Sequence, residues 1–307
     1  MILTAGLTPA WQQILLFDSF RYGEVNRAAE AHWCASGKVF NAGIAAHHLG
    51  GPSRTLAPVG GPPLGQIQDE LDELGLSRRL VITSAATRVC TTIIDRASGT
   101  ITELVQNGRP LLGTELDEFR QDYAAEAREA GAAIIIGSLP VGTPVSFYRE
   151  LVERTPCPAI LDFRGEGLLS LLDLKPYCVK PNREELGRTV GRTLDSDEDL
   201  LAAMRSLNDR GAQWVVITQG AGPVWVTSQS QTHRLEPLPP GDAVNPIGCG
   251  DAMAAAIAWA TCDGRKMIDA VRLGVAAAAE NLRQLLPCRL DPVKIEQSAK
   301  HVPVKRH

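Results

Sequence analysis

The 307-residue sequence lacks several features that would assign a protein to a class at once. No apolar run approaches the ~20 residues of a transmembrane helix, and the first residues do not have the layout of a signal peptide. The seven cysteines are odd in number and form no Cys-x-x-Cys pair, which argues against a disulfide framework and against a zinc site. We therefore expect reduced thiols, no membrane partner and a cytoplasmic protein.

An excess of positive charge is absent as well. Lys and Arg number 31 against 35 Asp and Glu, a net charge of −4, so no overall basic field is available to bind nucleic acid. The chain also has no internal repeat and no low-complexity tract. Its composition, 44% hydrophobic and 21% charged, is that of an ordinary globular protein long enough to bury a large core.

After about residue 110, helices and apolar strands alternate regularly. An amphipathic helix at 116–127 precedes the strand 132–136, and further cycles end at strands 159–161, 177–180 and 214–218. This order predicts right-handed βαβ units and a mainly parallel sheet between two helix layers, a three-layer α/β/α fold. Ligands in such folds bind at the carboxyl ends of the strands. The residues expected there are Gly137-Ser138-Leu139-Pro140, Asp162, Lys180-Pro181-Asn182 and Thr218-Gln219-Gly220.

The first ~110 residues carry a different pattern. Strand-like runs occur at 12–18, 89–95 and 100–105, and the last two enclose Arg96-Ala97-Ser98-Gly99, a plausible hairpin turn. We predict a small antiparallel sheet, formed from segments near 10–35 and 87–108, that acts as a β lid on a single domain covering 1–307. A lid of this kind excludes water during group transfer.

The sequence Asn245-Pro246-Ile247-Gly248-Cys249-Gly250-Asp251 precedes a run of good helix formers. One interpretation is a tight turn with the aspartate as a helix cap. The other is an anion site, because such a turn aims backbone N–H groups outward at the positive end of a helix dipole. Asp251 would then take a proton from a hydroxyl beside the anion, as phosphoryl transfer to an alcohol requires.

Two further helix starts carry candidate ligands. Lys38 and Asn41 lie at the start of a helix, where Lys38 could hold a phosphate and Asn41 a sugar hydroxyl, or the lysine could simply be solvated. Asn182 and Glu185 lie one helical turn apart and could hold a hydrated Mg²⁺ through water. They could equally form a capping box, and both interpretations can hold together.

Arginines and glycines supply weaker signals. Arg88 and Arg27 could each offer a bidentate fork to a phosphate, although each could also be a solvated surface residue. The segment 60–65 is a poor dinucleotide fingerprint because two prolines occupy it, and a tight turn that lets a substrate approach is at least as well supported.

The order of these motifs resembles the ribokinase-like sugar kinases, the phosphofructokinase-B family. It is most similar to the branch containing 1-phosphofructokinase and tagatose-6-phosphate kinase, from about residue 5 to residue 280. The segment 245–251 resembles the C-terminal signature of that family, and Gly37-Lys38 with Asn41 resembles its N-terminal signature. The other matches, in the same order along the chain, are Gly60-Gly61…Gly65, Thr87-Arg88-Val89, Thr102-Glu103, Gly137-Ser138-Leu139-Pro140, Lys180-Pro181-Asn182-Arg183-Glu184-Glu185 and Thr218-Gln219-Gly220-Ala221-Gly222.

The resemblance implies an ATP- and Mg²⁺-dependent kinase acting on a phosphorylated ketose, with fructose 1-phosphate as the first expectation. Asp251 would be the base, and Gly248, Cys249 and Gly250 would form the anion hole. The other roles are implied as follows: Gln12, Gly37, Lys38, Asn41, Arg88 and Ser138 for the sugar phosphate, Lys180, Asn182, Thr218, Gly220, Gly222 and Asn245 for the nucleotide, and Asn182 with Glu185 for Mg²⁺. Relatives commonly dimerise through the lid, so a homodimer is expected, with Arg27 serving a neighbouring subunit.

The departures from the family pattern concern the acceptor. Gln12 stands where the branch usually has an aspartate, so a charge that would accept hydrogen bonds from sugar hydroxyls is lost. Val39 replaces a glycine, Pro246 replaces a hydroxyl residue and Cys249 replaces an alanine. The acceptor could therefore be tagatose 6-phosphate, fructose 6-phosphate, an unphosphorylated sugar or a nucleoside. A non-catalytic sensor of sugar phosphate or nucleotide is a third hypothesis.

Overall fold

The computed structural model describes all 307 residues. Its fourteen strands and ten α-helices are numbered in chain order. The strands are β1 Ile2–Ala5, β2 Ala10–Phe17, β3 Glu30–Ser36, β4 Ser53–Gly60, β5 Arg78–Thr83, β6 Arg88–Asp95, β7 Thr100–Val105, β8 Ala132–Ile136, β9 Ala159–Asp162, β10 Cys178–Val179, β11 Trp214–Ile217, β12 Val224–Thr227, β13 Thr232–Leu235 and β14 Val304–Arg306. The helices are α1 Gly37–His48, α2 Leu64–Glu73, α3 Gly113–Ala127, α4 Phe147–Val152, α5 Glu166–Leu169, α6 Arg183–Val190, α7 Asp197–Asp209, α8 Cys249–Cys262, α9 Met267–Leu282 and α10 Pro292–Ala299. None of these helices is both long and apolar enough to cross a membrane.

Ten strands form the central sheet, in the order β14-β13-β12-β11-β10-β9-β8-β1-β4-β5. The seven from β11 to β5 run parallel, and β12, β13 and β14 extend one edge in antiparallel fashion. Strands such as β8 are buried along their whole length, as expected for a parallel sheet that is covered on both faces. The predicted mainly parallel sheet is confirmed.

Helices cover both faces of this sheet, so the predicted three layers are also confirmed. One core is built largely from α1, α8 and α9 with their side of the strands, and the other largely from α3, α4 and α7 with the opposite side. Helix α8 is alanine-rich and buried on nearly all sides. Small side chains let its backbone pack closely between neighbours, which holds the start of α8 in a fixed place.

The second sheet is the small sheet that the sequence predicts, with the order β3-β2-β6-β7. Both hairpins, β2/β3 and β6/β7, are antiparallel, and residues 96–99 connect the second one as expected. The small sheet is antiparallel within each hairpin but not at its centre, where β2 pairs with β6 in parallel. The two hairpins come from separate parts of the chain and lie side by side, so no tight turn imposes an antiparallel arrangement there.

The carboxyl ends of four parallel strands meet at one edge of the central sheet. Strands β8, β9, β10 and β11 end at Ile136, Asp162, Val179 and Ile217, so the segments predicted to hold ligands follow directly. The inner face of the small sheet packs against the chain after α9, through Ile14, Leu16, Cys34 and Ile94 on the sheet side. The space between the small sheet and this edge is where the candidate site lies.

Candidate active site

The turn before α8 presents free backbone donors. Gly248 has a φ of 87°, a left-handed conformation that favours glycine, and it caps the helix that starts at Cys249. The N–H groups of Gly248, Gly250 and Asp251 have no hydrogen-bond partner, whereas the N–H of Cys249 donates to Pro246 O at 3.2 Å. The turn therefore offers three donors at a helix N-terminus, the arrangement that binds anions.

The thiol of Cys249 adds no charge to this turn. Burial raises the pKa of Cys249 to about 11, so the side chain is neutral at physiological pH. Its Sγ donates to Ala278 O at 3.3 Å and lies 3.3 Å from Asn281 Nδ2. A small neutral residue beside the free N–H groups leaves the anion site electrostatically positive.

Asp251 lies in the first turn of α8 and is 6% exposed. Asn41 Nδ2 donates to its Oδ2 at 2.8 Å, and Ser36 Oγ donates in turn to Asn41 Oδ1 at 3.0 Å. Burial raises the pKa of Asp251 to about 6, although the nearby Lys38 ammonium lowers it. The carboxylate is therefore basic enough to accept a proton, yet ionised at neutral pH.

Lysines and carboxylates alternate beside Asp251. Asp162 lies between Lys38 and Lys180, with 2.8 Å from each Nζ to one of its carboxylate oxygens. Burial opposes ionisation of Asp162, but the two ammonium groups outweigh it and lower its pKa. Burial likewise disfavours the charge on Lys38, and the surrounding carboxylates more than compensate and raise its pKa. Both groups consequently stay charged, with Asp162 buried and Lys38 partly exposed.

Asn182 and Glu185 form the capping box of α6. Glu185 N–H donates to Asn182 Oδ1 at 2.8 Å, and Asn182 N–H donates to Glu185 Oε2 at 3.0 Å. The other oxygen of Glu185 accepts from Lys38 Nζ at 3.3 Å. The structural interpretation of this pair is thus present in the molecule, and the carboxylate still faces the charged cluster.

A cavity of about 730 Å³ joins these groups. The residues predicted for the site that line it are Gln12, Gly37, Lys38, Asn41, Arg88, Lys180, Asn182, Glu185, Thr218, Gly220, Gly222, Gly248, Cys249, Gly250 and Asp251. Lys180 lies against the turn, since a Cβ added at Gly250 would be 3.5 Å from its Nζ. The cavity thus joins the Asp251 carboxylate, the free N–H groups and two ammonium groups.

Three predicted residues lie elsewhere. Ser138 is exposed after β8, and only its backbone carbonyl makes a bond, accepting from the Thr8 hydroxyl at 3.3 Å. Arg27 is exposed in the loop between β2 and β3. Asn245 is fully buried, accepts from Ile247 N–H at 3.1 Å and donates to Leu285 O at 2.9 Å, so its amide is used within the protein.

Polar side chains at the end of the cavity under the small sheet are bonded within the protein. Gln12 is 3% exposed and its Nε2 donates to Thr92 Oγ1 at 2.6 Å. Arg88 donates to three backbone carbonyls, those of Pro9, Thr8 and Gln106, at 3.0 to 3.2 Å. It therefore fastens the small sheet to the chain after β1.

The sequence places Asp162 at the ligand edge and Glu103 in a motif shared with the family, but it assigns no role to either side chain, and both line the cavity. Asp162 ends the apolar strand β9 at the ligand edge, which was the signal for its importance. Glu103 reaches the cavity from β7, where burial raises its pKa and Arg88 partly offsets this. Neither role is readable from spacing, because the partners of both residues are far away along the chain.

The model of the "pfkB family carbohydrate kinase" matches residues 7–291. The chain belongs to the pfkB family of carbohydrate kinases. This kinase is 31% identical over 280 residues to a 1-phosphofructokinase of Haloferax volcanii, covering 91% of this chain and 90% of that one. It is 30% identical over 285 residues to the ATP-dependent 6-phosphofructokinase isozyme 2 of Mycobacterium tuberculosis, covering 92% and 84%.

A solved structure shows the same fold. The tetrameric inhibited form of phosphofructokinase-2 from Escherichia coli superposes with a TM-score of 0.87 at 23% identity, covering 98% of each chain. The kinase therefore has the fold that the sequence resemblance implied. Its family transfers phosphate to a sugar hydroxyl, and the buried carboxylate, the ammonium groups and the free N–H groups of the cavity are suited to that chemistry.

Proposed function

We propose that the protein transfers the γ-phosphate of ATP to a hydroxyl of a phosphorylated ketose, with fructose 1-phosphate as the first candidate. The observation that carries this proposal is the placement of Asp251, with a pKa of about 6, on the same turn as three free N–H groups. A relative that is named a 1-phosphofructokinase supports the acceptor. A relative named for a 6-phosphofructokinase keeps fructose 6-phosphate among the acceptors to be tested.

In this mechanism Asp251 accepts the proton of the attacking hydroxyl. Asn41 holds the carboxylate by its 2.8 Å hydrogen bond, and so fixes the direction from which the hydroxyl approaches. The N–H groups of Gly248 and Gly250 stabilise charge on the phosphoryl group in transfer, and Lys180 adds its ammonium beside them. These donors are fixed by the fold before substrate binds.

The nucleotide would lie along the strand ends that follow β10 and β11. Lys180, Asn182, Thr218, Gly220 and Gly222 line that part of the cavity and supply backbone and side-chain donors.

Mg²⁺ would be held through water by Glu185 and Asn182. No group of three or more His, Cys, Asp or Glu side chains gathers in a geometry suited to a metal. Mg²⁺ usually needs only one or two carboxylates together with phosphates and water, so the residues present fit it. When bound, it would neutralise phosphate charge.

An unphosphorylated sugar is the second candidate acceptor. A phosphate under the small sheet would need free cations, yet Arg88 is already bonded to three carbonyls and Lys38 is paired with two carboxylates. Glu103 adds an acidic group to the same end of the cavity. A neutral polyol would meet no repulsion there.

An acceptor panel tests both candidates. Purified protein with ATP and Mg²⁺ is given fructose 1-phosphate, fructose 6-phosphate, tagatose 6-phosphate, free hexoses and nucleosides, and ADP release is measured, with Asp251→Asn as the matched blank. Turnover with a phosphorylated ketose at least tenfold above the free sugar supports the first candidate, and the reverse order supports the second. ATP binding without turnover on any acceptor would contradict a kinase function and favour a sensor.

The small sheet is also proposed as a lid and as a dimer surface. Its outer face carries stacked Trp11 and Trp33, with ring centroids 5.9 Å apart, and Trp33 is 44% exposed. Leu104, 55% exposed, belongs to the same face. Large exposed apolar groups on one face favour association with a second copy. The proposed location is the cytoplasm, which agrees with seven cysteines that are all free.

A further inference from the structure

A buried amide near the end of α9 is not used by the mechanism above. Asn281 is 0% exposed, and its side chain bonds to two separate loops. Its Nδ2 donates to Ile247 O at 2.9 Å and contacts Cys249 Sγ at 3.3 Å, while its Oδ1 accepts from Cys288 N–H at 2.6 Å. One side chain thus connects the turn before α8 to the segment after α9.

The orientation of this amide is fixed by its partners. A backbone N–H can only donate and a backbone carbonyl can only accept, so the oxygen of Asn281 must face Cys288 and its nitrogen must face Ile247. In a flipped amide the oxygen would face the Ile247 carbonyl oxygen and the nitrogen would face the Cys288 N–H, so neither hydrogen bond could form. The two backbone partners therefore allow only one orientation of the Asn281 amide.

Ile247 is held from both sides by buried amides. Its carbonyl accepts from Asn281, and its N–H donates to Asn245 Oδ1 at 3.1 Å. Asn245 in turn donates to Leu285 O at 2.9 Å. The carbonyl of Ile247 is therefore connected through Asn281 to Cys288, and its N–H is connected through Asn245 to Leu285.

The segment that anchors the turn is itself tightly fitted. Cys288 has a φ of 63°, a left-handed conformation that is uncommon for a residue with a side chain. A Cβ added at Gly248 would lie 3.0 Å from Cys288 Sγ and 3.1 Å from Pro287 Cβ. The hydrogen bond from Cys288 N–H to Asn281 supports this conformation and so keeps the wall of the turn in place.

We propose that Asn281 is a positioning residue that fixes the direction of the free N–H groups of Gly248 and Gly250 toward the transferring phosphoryl group. It is fully buried and does not line the cavity, and it acts through Ile247 and Cys288. The inference goes beyond the proposed function, because it concerns what holds the anion site in place rather than which acceptor is used.

The matched control is Asn208, a second buried asparagine at 2% exposure. Its Nδ2 donates to Ala212 O at 2.9 Å and its Oδ1 accepts from Thr227 Oγ1 at 2.7 Å, between α7 and β12. It lines no part of the cavity. Replacing either asparagine by alanine removes comparable buried hydrogen bonds, but only Asn281→Ala loosens the turn.

The experiment compares Asn281→Ala, the milder Asn281→Ser and Asn208→Ala with the unaltered protein. For Asn281→Ala we expect kcat to fall about tenfold or more, while the KM values for ATP and acceptor change less than about threefold, because donors aimed at the transition state act on kcat. The kcat of Asn281→Ser should lie between those of Asn281→Ala and the unaltered protein. Asn208→Ala should lower Tm to a similar extent and keep kcat within about twofold.

A second readout does not depend on turnover. Amide hydrogen exchange should be faster at Ile247 and Cys288 in both Asn281 variants and unchanged there in Asn208→Ala. The proposal is overturned if kcat is retained in folded Asn281→Ala, if Asn208→Ala loses as much activity, or if exchange at Ile247 and Cys288 stays slow. Should the unaltered protein use no acceptor, the proposed function fails while the exchange result still decides the role of Asn281.

Discussion

Asp251 combines two properties that normally oppose each other, burial and charge. Its pKa of about 6 results from burial, which the Lys38 ammonium and the Asn41 hydrogen bond only partly offset. A carboxylate in this state is a stronger base than an exposed aspartate and is still ionised at neutral pH. Asn41 therefore bonds to the proposed base, whereas the sequence had suggested a contact with sugar hydroxyls.

The first prediction concerns the pH dependence of catalysis. Because Asp251 must be ionised, kcat/KM should fall as the pH drops through about 6. Asn41→Leu removes a hydrogen bond that lowers the pKa of Asp251, so the acid limb should move to higher pH. Asp251→Asn should lose about 10²-fold or more of kcat while ATP still binds. Rate profiles from pH 5 to 9 measure all three, and an unmoved limb in Asn41→Leu contradicts the assignment.

The same residue should cost stability. The pKa of Asp251 is raised above the unfolded value of about 3.9, so the folded protein binds more protons between about pH 4 and 6. Its contribution to stability is thus lost as the pH rises through 6. Asp251→Asn has no carboxylate to ionise and so avoids this loss. Its free energy of unfolding should exceed that of the unaltered protein by about 1–3 kcal/mol at pH 8.

Urea denaturation at pH 8 and pH 5 checks this difference, which should shrink at the lower pH. Exposed Asp69→Asn is the control and should show no such gap at either pH. Equal stability of Asp251→Asn and the unaltered protein at pH 8 would mean that burial of the carboxylate is fully compensated.

At the scale of elements, the starts of two helices create the site. Helix α1 begins at Gly37, where φ is 77°, and α8 follows Gly248, where φ is 87°. The start of α1 has no room for a larger residue, since a Cβ at Gly37 would lie 2.8 Å from Thr8 O and 2.9 Å from Ala10 N. Position 37 therefore requires glycine, because the chain after β1 passes directly over the start of α1.

Gly37→Ala and Gly50→Ala separate strain from crowding. Gly50 also has a positive φ, 89°, but a Cβ there meets no atom within 4 Å. Gly50→Ala should cost about 1 kcal/mol from the left-handed conformation alone. Gly37→Ala adds the clash and should cost about 3 kcal/mol or more, with lower activity because Gly37 lines the cavity. Chemical denaturation of both variants measures the difference, and similar losses would show that the backbone relaxes.

The elements that the sequence predicted best are those with strong local periodicity. The strands after residue 110 and the hairpin around 96–99 required only alternation and turn residues, and they are present. The parallel β2/β6 pair was not predictable, because no local signal specifies how two distant hairpins pair. The same limit applies to the site. The ends of the predicted strands were enough to place Lys180 and Thr218 there. The hydrogen bonds of Arg88 and of the Asn245 amide could not be predicted, because their partners are distant in sequence or buried.

At the scale of the whole molecule, Arg27 is the predicted site residue that only a second copy of the chain would bring into a site. The loop between β2 and β3 leaves Arg27 exposed and away from the cavity of its own chain. On the outer face of the small sheet, exposed Trp33 stacks on the partly buried Trp11, which suits a contact between two copies. Association through that face would place the loop of one copy near the small sheet of the other.

The last prediction tests this arrangement by mixing two impaired variants. Arg27→Ala retains the base, and Asp251→Asn retains the arginine. If Arg27 serves the neighbouring site, subunit exchange restores activity in about a quarter of all sites, those in mixed dimers that have Asp251 and the partner's arginine. If Arg27 serves its own site or none, mixing adds nothing. Trp33→Glu, introduced into both variants, should weaken the dimer on sedimentation and abolish the recovery, because a charge then replaces an apolar contact.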